Sequence, residues 1–318
     1  MSHFPAFYDP QRIGTLFHPD TARIAAAADA AGLPPASADA QRTHLLLIDM
    51  QVDFCHPAGS LYVPGALDDL RRTIEFIYRN AAHISQISCS LDSHLPGPTF
   101  SPNWWADADG NHPAPFTIVS AADVQSGRWQ PRFAAEWSRA YVTRLEQEAK
   151  KLLTIWPYHV LIGSPGHVLD PELWSAVVWH ALARRTQPRW LVKGSEPRTE
   201  HYSIVQPEVP LPGMADGGRN QAFLDELATA DLIVLAGEAL SHCVLETMED
   251  LVEAFGDRPS LLHRLLLLRD CTSPVVHPQI DFCAIAEGRL AEFAQMGVRM
   301  AVSTQFDVAA DLAAGAPL

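Results

Sequence analysis

The sequence has few basic residues and no cluster of them. Lysine and arginine number 23 against 37 aspartates and glutamates, so the formal net charge is −14 at pH 7. Proteins that bind nucleic acid or anionic membranes usually do so through clustered positive charge. The composition therefore argues against both kinds of partner.

Long hydrophobic runs are also missing. The most apolar stretch, LLHRLLLLRD (261–270), is short and contains His263 and Arg264, whereas a membrane-spanning helix needs about 20 mostly apolar residues. The first residues, MSHFPAFYDPQRIG, lack the basic start and apolar stretch of a secretory signal. We therefore expect a cytoplasmic protein.

Cysteine is scarce and scattered. The sequence has five cysteines, which are Cys55, Cys89, Cys243, Cys271 and Cys283. An odd number at irregular spacing fits neither a disulfide framework nor a zinc ribbon. A reducing compartment agrees with this pattern, and at most one thiol is expected to do chemistry.

From residue 44 onward, short apolar runs alternate with segments of helical spacing. The predicted strands are 44–49, 84–92, 189–194, 231–237, 264–270 and 298–303. The predicted helices are 65–82, 137–153, 171–185, 221–230, 242–256 and 281–297. Such alternation produces βαβ units, so we predict an α/β fold with a mostly parallel central sheet and helices on both faces, in three αβα layers.

Two segments stand apart from this alternation. Residues 1–43 are rich in alanine and proline and are expected to form an N-terminal extension with one short helix. Residues 44–318 are expected to form the main domain. An insert at about 95–135, rich in tryptophan, phenylalanine and proline, interrupts it, and we predict that this insert covers the mouth of a pocket.

Several reactive side chains come at or just after the ends of predicted strands. Asp49, Asp92 and Lys193 end strands, and Cys243 follows another strand by six residues, at a predicted helix start. In parallel sheets the chemistry lies beyond the carboxyl ends of the strands. Taken singly, each could be a solvated aspartate, a surface lysine or a structural cysteine. Because a helix N-terminus stabilises a thiolate, we predict a reactive Cys243 with a lowered pKa.

A second group of residues has the types expected of metal ligands. Asp92 and His94 are two residues apart, so in an extended chain their side chains share a face and can bind one metal ion. His159 and His112 are further candidates. An Asp-x-His pair alone is a weak signal, because most such pairs are incidental.

Four segments together resemble the nicotinamidase/isochorismatase-like cysteine hydrolase superfamily. They are LLLIDMQVDFCHPAGSLYVPGA (45–66), WPYHVLIGSPG (156–166), KGSEPRTEHYS (193–203) and GEALSHCV (237–244). The segment 156–166 is similar to the metal-histidine segment of the nicotinamidase (pyrazinamidase) branch in particular. The resemblance implies the isochorismatase-like fold.

The resemblance also implies a catalytic group. It makes Cys243 the nucleophile, Asp49 the base and Lys193 the third member. A cis peptide would join Glu238 and Ala239, and the N–H groups of Ala239 and Cys243 would form the oxyanion hole. These roles follow from the matching motifs only.

One divalent metal ion, zinc, iron or manganese, is implied as a cofactor. Its ligands would be Asp92, His94 and His159, and the aromatic walls of the substrate pocket would be Phe54 and Trp156. Nicotinamidases usually have another histidine soon after the Asp-x-His pair, where this sequence has LPGPTFSP. The fourth ligand therefore stays open, including whether His112 supplies it.

The expected activity is that of an amidase that cleaves nicotinamide, or a similar small aromatic amide, to the acid and ammonia through a cysteine thioester, as in NAD salvage. One alternative is a cysteine hydrolase of the same fold for another small amide or ureido compound. Another is a non-catalytic binding member. The expected partners are a small-molecule amide substrate and further copies of the chain in a homo-oligomer.

Overall fold

The computed structural model describes residues 4–149 and 151–315. Their strands are β1 (Thr43–Ile48), β2 (Gln86–Asp92), β3 (Trp105–Ala106), β4 (Ile118–Val119), β5 (Gln130–Pro131), β6 (Leu153–Thr154), β7 (Arg189–Lys193), β8 (Leu232–Gly237), β9 (Leu265–Leu268) and β10 (Arg299–Ala301). Their α-helices are α1 (Thr21–Ala31), α2 (Val52–Cys55), α3 (Ala66–Asn80), α4 (Ala121–Gln125), α5 (Ala135–Gln147), α6 (Pro171–Arg184), α7 (Gln221–Leu227), α8 (Leu245–Phe255), α9 (Pro259–Leu262), α10 (Phe282–Gln295) and α11 (Val308–Ala314).

The central sheet has six strands in the order β10-β9-β8-β1-β2-β7, and every neighbouring pair is parallel. All six correspond to the predicted strands, so the predicted parallel sheet is confirmed. After β1 the chain moves to β2 and β7, and it later returns to β8 on the other side of β1. The direction of travel therefore reverses between β1 and β8, which is where parallel sheets form binding crevices.

Helices cover both faces of the sheet, as β1 shows residue by residue. Its side chains alternate, so Leu45 and Leu47 join the core formed with α3 and α6. Leu46 and Ile48 join the opposite core, formed with α7, α8 and α10. Both faces of a parallel strand are buried, which explains the continuous apolar run. The predicted three-layer arrangement is confirmed.

The N-terminal residues pack onto the first of these two faces. Asp20 caps α1 by accepting a hydrogen bond from the Arg23 N–H, and Ile24 and Ala28 of α1 are buried in the core that contains α6. The buried Arg184 guanidinium of α6 pairs with Asp39. Of the predicted division of the chain, residues 1–3 and 316–318 lie outside the described residues.

The insert shares a small core with α5 and β6. Strand β3 pairs with β5, and β4 pairs with β6, both antiparallel. Trp104 donates its indole N–H to the Ser138 hydroxyl at 3.0 Å, and Trp105 donates to the Thr99 carbonyl at 2.7 Å. Both indoles are buried in a cluster that also contains Trp156. Buried indoles with partners hold the insert in place.

No helix among the described residues is both long and apolar enough to cross a membrane.

Candidate active site

Three side chains predicted from the strand ends meet at the carboxyl edge of the sheet. The Lys193 ammonium lies 2.8 Å from the Asp49 carboxylate and 3.5 Å from the Cys243 sulfur. It also donates to the His201 carbonyl at 2.9 Å and lies 3.2 Å from Asp92. All three reactive groups are buried. The ammonium therefore stands between the thiol and two carboxylates.

Asp49 is held in place from β2. It has a positive φ of 46° directly after β1, a conformation that non-glycine residues adopt infrequently. Its backbone N–H donates to the Ser90 hydroxyl at 2.9 Å, and that hydroxyl donates to the Asp49 carboxylate at 2.5 Å. The sequence analysis missed Ser90. Its spacing from Asp92 along β2 was a usable signal, because residues two apart share a face of a strand.

Burial dominates the protonation of Asp49 and Cys243. It raises the pKa of Asp49, and the nearby Lys193 charge offsets this only in part. It also raises the pKa of Cys243 well above the usual thiol value, again against the opposing effect of Lys193. The prediction of a lowered pKa for Cys243 is therefore wrong. Desolvation disfavours the thiolate more than the neighbouring charges favour it.

Lys193 stays protonated in this setting. Burial alone would lower its pKa, but Asp49 and Asp92 outweigh that effect and raise it well above the usual value. The Asp49 carboxylate and the Cys243 thiol both contact this ammonium, at 2.8 and 3.5 Å. A fixed cation thus lies beside a carboxylate that can accept a proton and a thiol that can donate one.

The turn that carries Cys243 differs from the predicted simple helix start. Residues Leu240–Val244 form one turn of π-helix, and α8 begins only after it. The peptide between Glu238 and Ala239 is cis, as the resemblance implies. The Leu240 N–H donates to the Ser273 carbonyl at 2.8 Å, which ties the turn to the segment after β9. The thiol therefore lies within a firmly held turn.

The three predicted metal ligands also come together. Asp92, His94 and His159 are buried, and their ligand atoms all lie within 4.8 Å of one another. The Nδ1 atoms of the histidines lie 3.0 Å from the Gly194 carbonyl and 2.6 Å from the Pro157 carbonyl respectively. A ring nitrogen that donates to a carbonyl leaves Nε2 with its lone pair, as metal-bound histidines require.

These residues fit a divalent cation. With Nδ1 as the donor, His94 turns its Nε2 lone pair toward an Asp92 oxygen 2.8 Å away. Two acceptors at that distance are compatible when a cation lies between them. Burial and the neighbouring His94 lower the pKa of His159 to about 4, so this ring is neutral at pH 7. One carboxylate and two imidazoles suit zinc, iron or manganese.

The open question about His112 has a clear outcome. His112 is exposed, and its Nδ1 lies 2.6 Å from the Trp105 carbonyl. Within residues 4–149 and 151–315, the group of side chains able to hold a metal consists of Asp92, His94 and His159 alone. The insert contributes Phe100 instead, whose ring centre lies 4.8 Å from that of His94.

The two predicted aromatic walls are both buried and border different parts of the site. The Phe54 ring lies 5.5 Å from His159, next to the predicted metal ligands. The Trp156 ring lies 5.2 Å from His242, which precedes the thiol in the chain. Trp156 donates its indole N–H to the Tyr202 hydroxyl at 2.9 Å. Sequence reasoning missed Tyr202, although it lies in the quoted lysine segment.

No protein-family model and no curated protein matches the chain. Solved structures do. PnC1 from L. infantum in complex with nicotinate is 21% identical, with 84% of this chain and 95% of that chain covered and a TM-score of 0.51. The Acinetobacter baumanii nicotinamidase/pyrazinamidase is 17% identical, with 83% and 97% covered and a TM-score of 0.52. The yeast nicotinamidase bound to nicotinaldehyde is 15% identical, with 82% and 99% covered and a TM-score of 0.51. The chain therefore has the fold of these nicotinamidases.

Proposed function

We propose that this protein is an amidohydrolase that cleaves nicotinamide, or a similar small aromatic amide, to the acid and ammonia. One observation supports this most directly. The Lys193 ammonium contacts both the Asp49 carboxylate, at 2.8 Å, and the Cys243 sulfur, at 3.5 Å. A thiol joined to a base and a fixed cation is the arrangement that nucleophilic catalysis of acyl transfer requires.

The first chemical step forms a thioester. Asp49 accepts the thiol proton as the Cys243 sulfur bonds to the amide carbon. The raised pKa of Asp49 makes it a competent acceptor. The backbone N–H groups of Ala239 and Cys243 hold the oxyanion, an interaction worth about 3 kcal/mol per donor in comparable sites. Asp49 then gives the proton to the leaving nitrogen, and ammonia departs.

The second step releases the acid. Asp49 accepts a proton from a water molecule whose oxygen bonds to the thioester carbon, and the proton returns to the departing Cys243 sulfur. Lys193 balances the negative charge that develops at the thiol and the carboxylate throughout. A divalent ion held by Asp92, His94 and His159 would supply a Lewis-acid contact that orients the substrate.

The aromatic residues of the insert bear on a second substrate class. Phe100 lies against His94, and Phe116 lies 5.8 Å from the Trp156 ring. The insert therefore places additional aromatic rings around the expected pocket. The alternative substrate is another small amide or ureido compound.

The test is ammonia release from nicotinamide by protein purified without chelator, with its metal content measured on the same sample. Cys243→Ala should lose turnover by at least about a thousandfold, because no other group can form the thioester. The control is Cys283→Ala, since Cys283 is exposed on α10. Circular dichroism should show that both variants are folded.

Two outcomes would reject the proposal. Substantial ammonia release by folded Cys243→Ala would refute the assignment of Cys243 as the nucleophile. An inactive wild type with bound metal would reject nicotinamide, and a panel of small amides and ureido compounds would then test the alternative.

A further inference from the structure

A buried carboxylate next to the metal ligands has no part in the mechanism above. Asp53 lies in α2 and is 8% exposed. One of its oxygens accepts the Val160 N–H at 2.7 Å. The other accepts both the N–H and the hydroxyl of Ser60, each at 3.1 Å. Asp53 therefore connects the segment after β1 to the residue that follows His159.

Val160 in turn connects the two histidines. It follows His159 directly in the chain, and its carbonyl accepts the His94 N–H at 3.2 Å. The next residues continue this pairing, because the Ile162 N–H donates to the His94 carbonyl at 3.0 Å. The peptide groups of Val160 thus set the distance between one metal-binding segment and the other.

The backbone at Val160 needs such support. Its φ is +41°, a region that a β-branched residue very rarely adopts because Cβ crowds the backbone. A conformation of this kind persists only where surrounding contacts hold it. The 2.7 Å hydrogen bond to Asp53 is one such contact, and it acts on the N–H of the strained residue itself.

Gly166 shows how closely the chain is fitted around this carboxylate. A Cβ atom at position 166 would lie 2.1–2.4 Å from the carboxylate atoms of Asp53. The absence of a side chain at Gly166 is therefore what allows the carboxylate to reach Val160.

We propose that Asp53 is a positioning residue for the metal site: through the Val160 N–H it holds His159 in register with His94. Its charge adds to the effect, since a buried anion near the site favours a cation. Outer hydrogen bonds of this type typically change metal affinity by about 10–100-fold. The inference rests on the metal site of the proposed function.

The experiment measures zinc and cobalt affinity by chelator competition in the full-length protein, without any substrate. Asp53→Ala should bind each metal about 10–100-fold more weakly than wild type. The metal affinity of Asp53→Asn should fall between those of wild type and Asp53→Ala, because the amide oxygen can still accept the Val160 N–H. The visible absorption of the cobalt form should also shift, which reports ligand geometry rather than fold.

Two further variants keep the result interpretable. Gly166→Ala should weaken metal binding as well, because its Cβ displaces the carboxylate while leaving the charge in place. Asp170→Asn is the matched control, since Asp170 is also buried and caps α6 without touching a predicted metal ligand. It should lower stability without changing metal affinity. If Asp53→Ala fails to fold, the metal affinity of Gly166→Ala tests the role of Asp53 instead.

The failures are distinguishable. A wild type that binds neither metal overturns the metal site itself, and with it this inference. Wild-type affinity and an unchanged cobalt spectrum in folded Asp53→Ala, or in Gly166→Ala, overturn the role of Asp53 and leave the proposed function intact.

Discussion

At the scale of single residues, desolvation determines the protonation of Cys243 and Asp49. Cys243 and Asp49 are both buried, and burial raises the pKa of each. The thiol is therefore neutral in the resting protein and needs a base in contact with it. Lys193 offers that base a fixed counter-charge at 2.8 Å. The dependence of the thiol on Asp49 should be strong.

Asp49→Asn tests this dependence. The amide cannot accept the thiol proton, so ammonia release should fall by about 10²–10⁴-fold, the usual contribution of a general base. Alkylation of Cys243 by iodoacetamide at pH 8, followed by peptide mapping, should not slow, because the Asp49 charge raises the thiol pKa and its removal favours the thiolate. The matched control is Asp109→Asn, an exposed carboxylate of the insert. A folded variant within tenfold of wild type in ammonia release would contradict the assignment of Asp49.

The sequence predicted the positions of these residues better than their properties. Asp49, Asp92 and Lys193 end apolar runs, so their meeting at one sheet edge follows from the parallel topology. The raised pKa of Cys243 could not be predicted from the sequence, because a sequence pattern shows where a helix starts but not how deeply a side chain is buried. Asp53 likewise has no local signal, since its partner Val160 is 107 residues away.

Among the elements, the turn after β7 is decisive for the metal site. Gly194 has a φ of +79°, and a Cβ there would meet Asp92 at 2.4 Å and His94 at 2.8 Å. Its carbonyl also faces His94 Nδ1 at 3.0 Å. The end of β7 thus carries Lys193 and, one residue later, the backbone that orients His94, a ligand of the proposed metal site.

Gly194→Ala should therefore weaken zinc binding by about 10–100-fold and reduce turnover with it. Gly213→Ala is the matched control, because its φ is +88° and no atom lies within 4 Å of its Cβ position. Both variants carry a similar backbone strain of about 1–2 kcal/mol. Zinc affinity by chelator competition and thermal unfolding separate the two effects. Equal zinc affinities in the two variants would refute the role of the turn.

The elements that differ from prediction differ because of pairing at a distance. The predicted helix 137–153 ends at Gln147 in α5, and Leu153 pairs in β6 with β4 of the insert. Its leucines keep a helical spacing, but tertiary pairing overrides such local preference. The long insert itself was recognisable only as irregular. The two short strand pairs that its strands form, one of them with β6, depend on contacts that no local pattern records.

For the molecule as a whole, the acidic composition extends into the interior. Burial raises the pKa of Glu200 to about 7, and it does the same for Glu246. Glu200 accepts hydrogen bonds from the Tyr141 and Tyr202 hydroxyls at 2.9 and 2.6 Å. Through Tyr202 it also connects to the Trp156 indole. Protonation of this one carboxyl thus acts on both the core and the expected pocket wall.

The pH dependence of stability follows from the sign of this shift. A carboxyl whose pKa is raised on folding binds its proton more tightly in the folded state than in the unfolded state, where its usual pKa is 4.5. Its contribution is therefore complete below about pH 4.5 and is lost as the pH rises through about 7. For Glu200 the loss is on the order of 3 kcal/mol.

The Glu200→Gln variant removes this titration, so its free energy of unfolding should decline less than that of wild type between pH 5 and 8. Urea unfolding of wild type, Glu200→Gln and the exposed control Glu253→Gln at several pH values measures this slope. The change from carboxylate to amide as hydrogen-bond acceptor shifts the free energy of unfolding of the variant by the same amount at every pH. The loss of the titration instead changes the slope of the free energy of unfolding against pH. Parallel curves for wild type and Glu200→Gln would show that Glu200 does not titrate in this range.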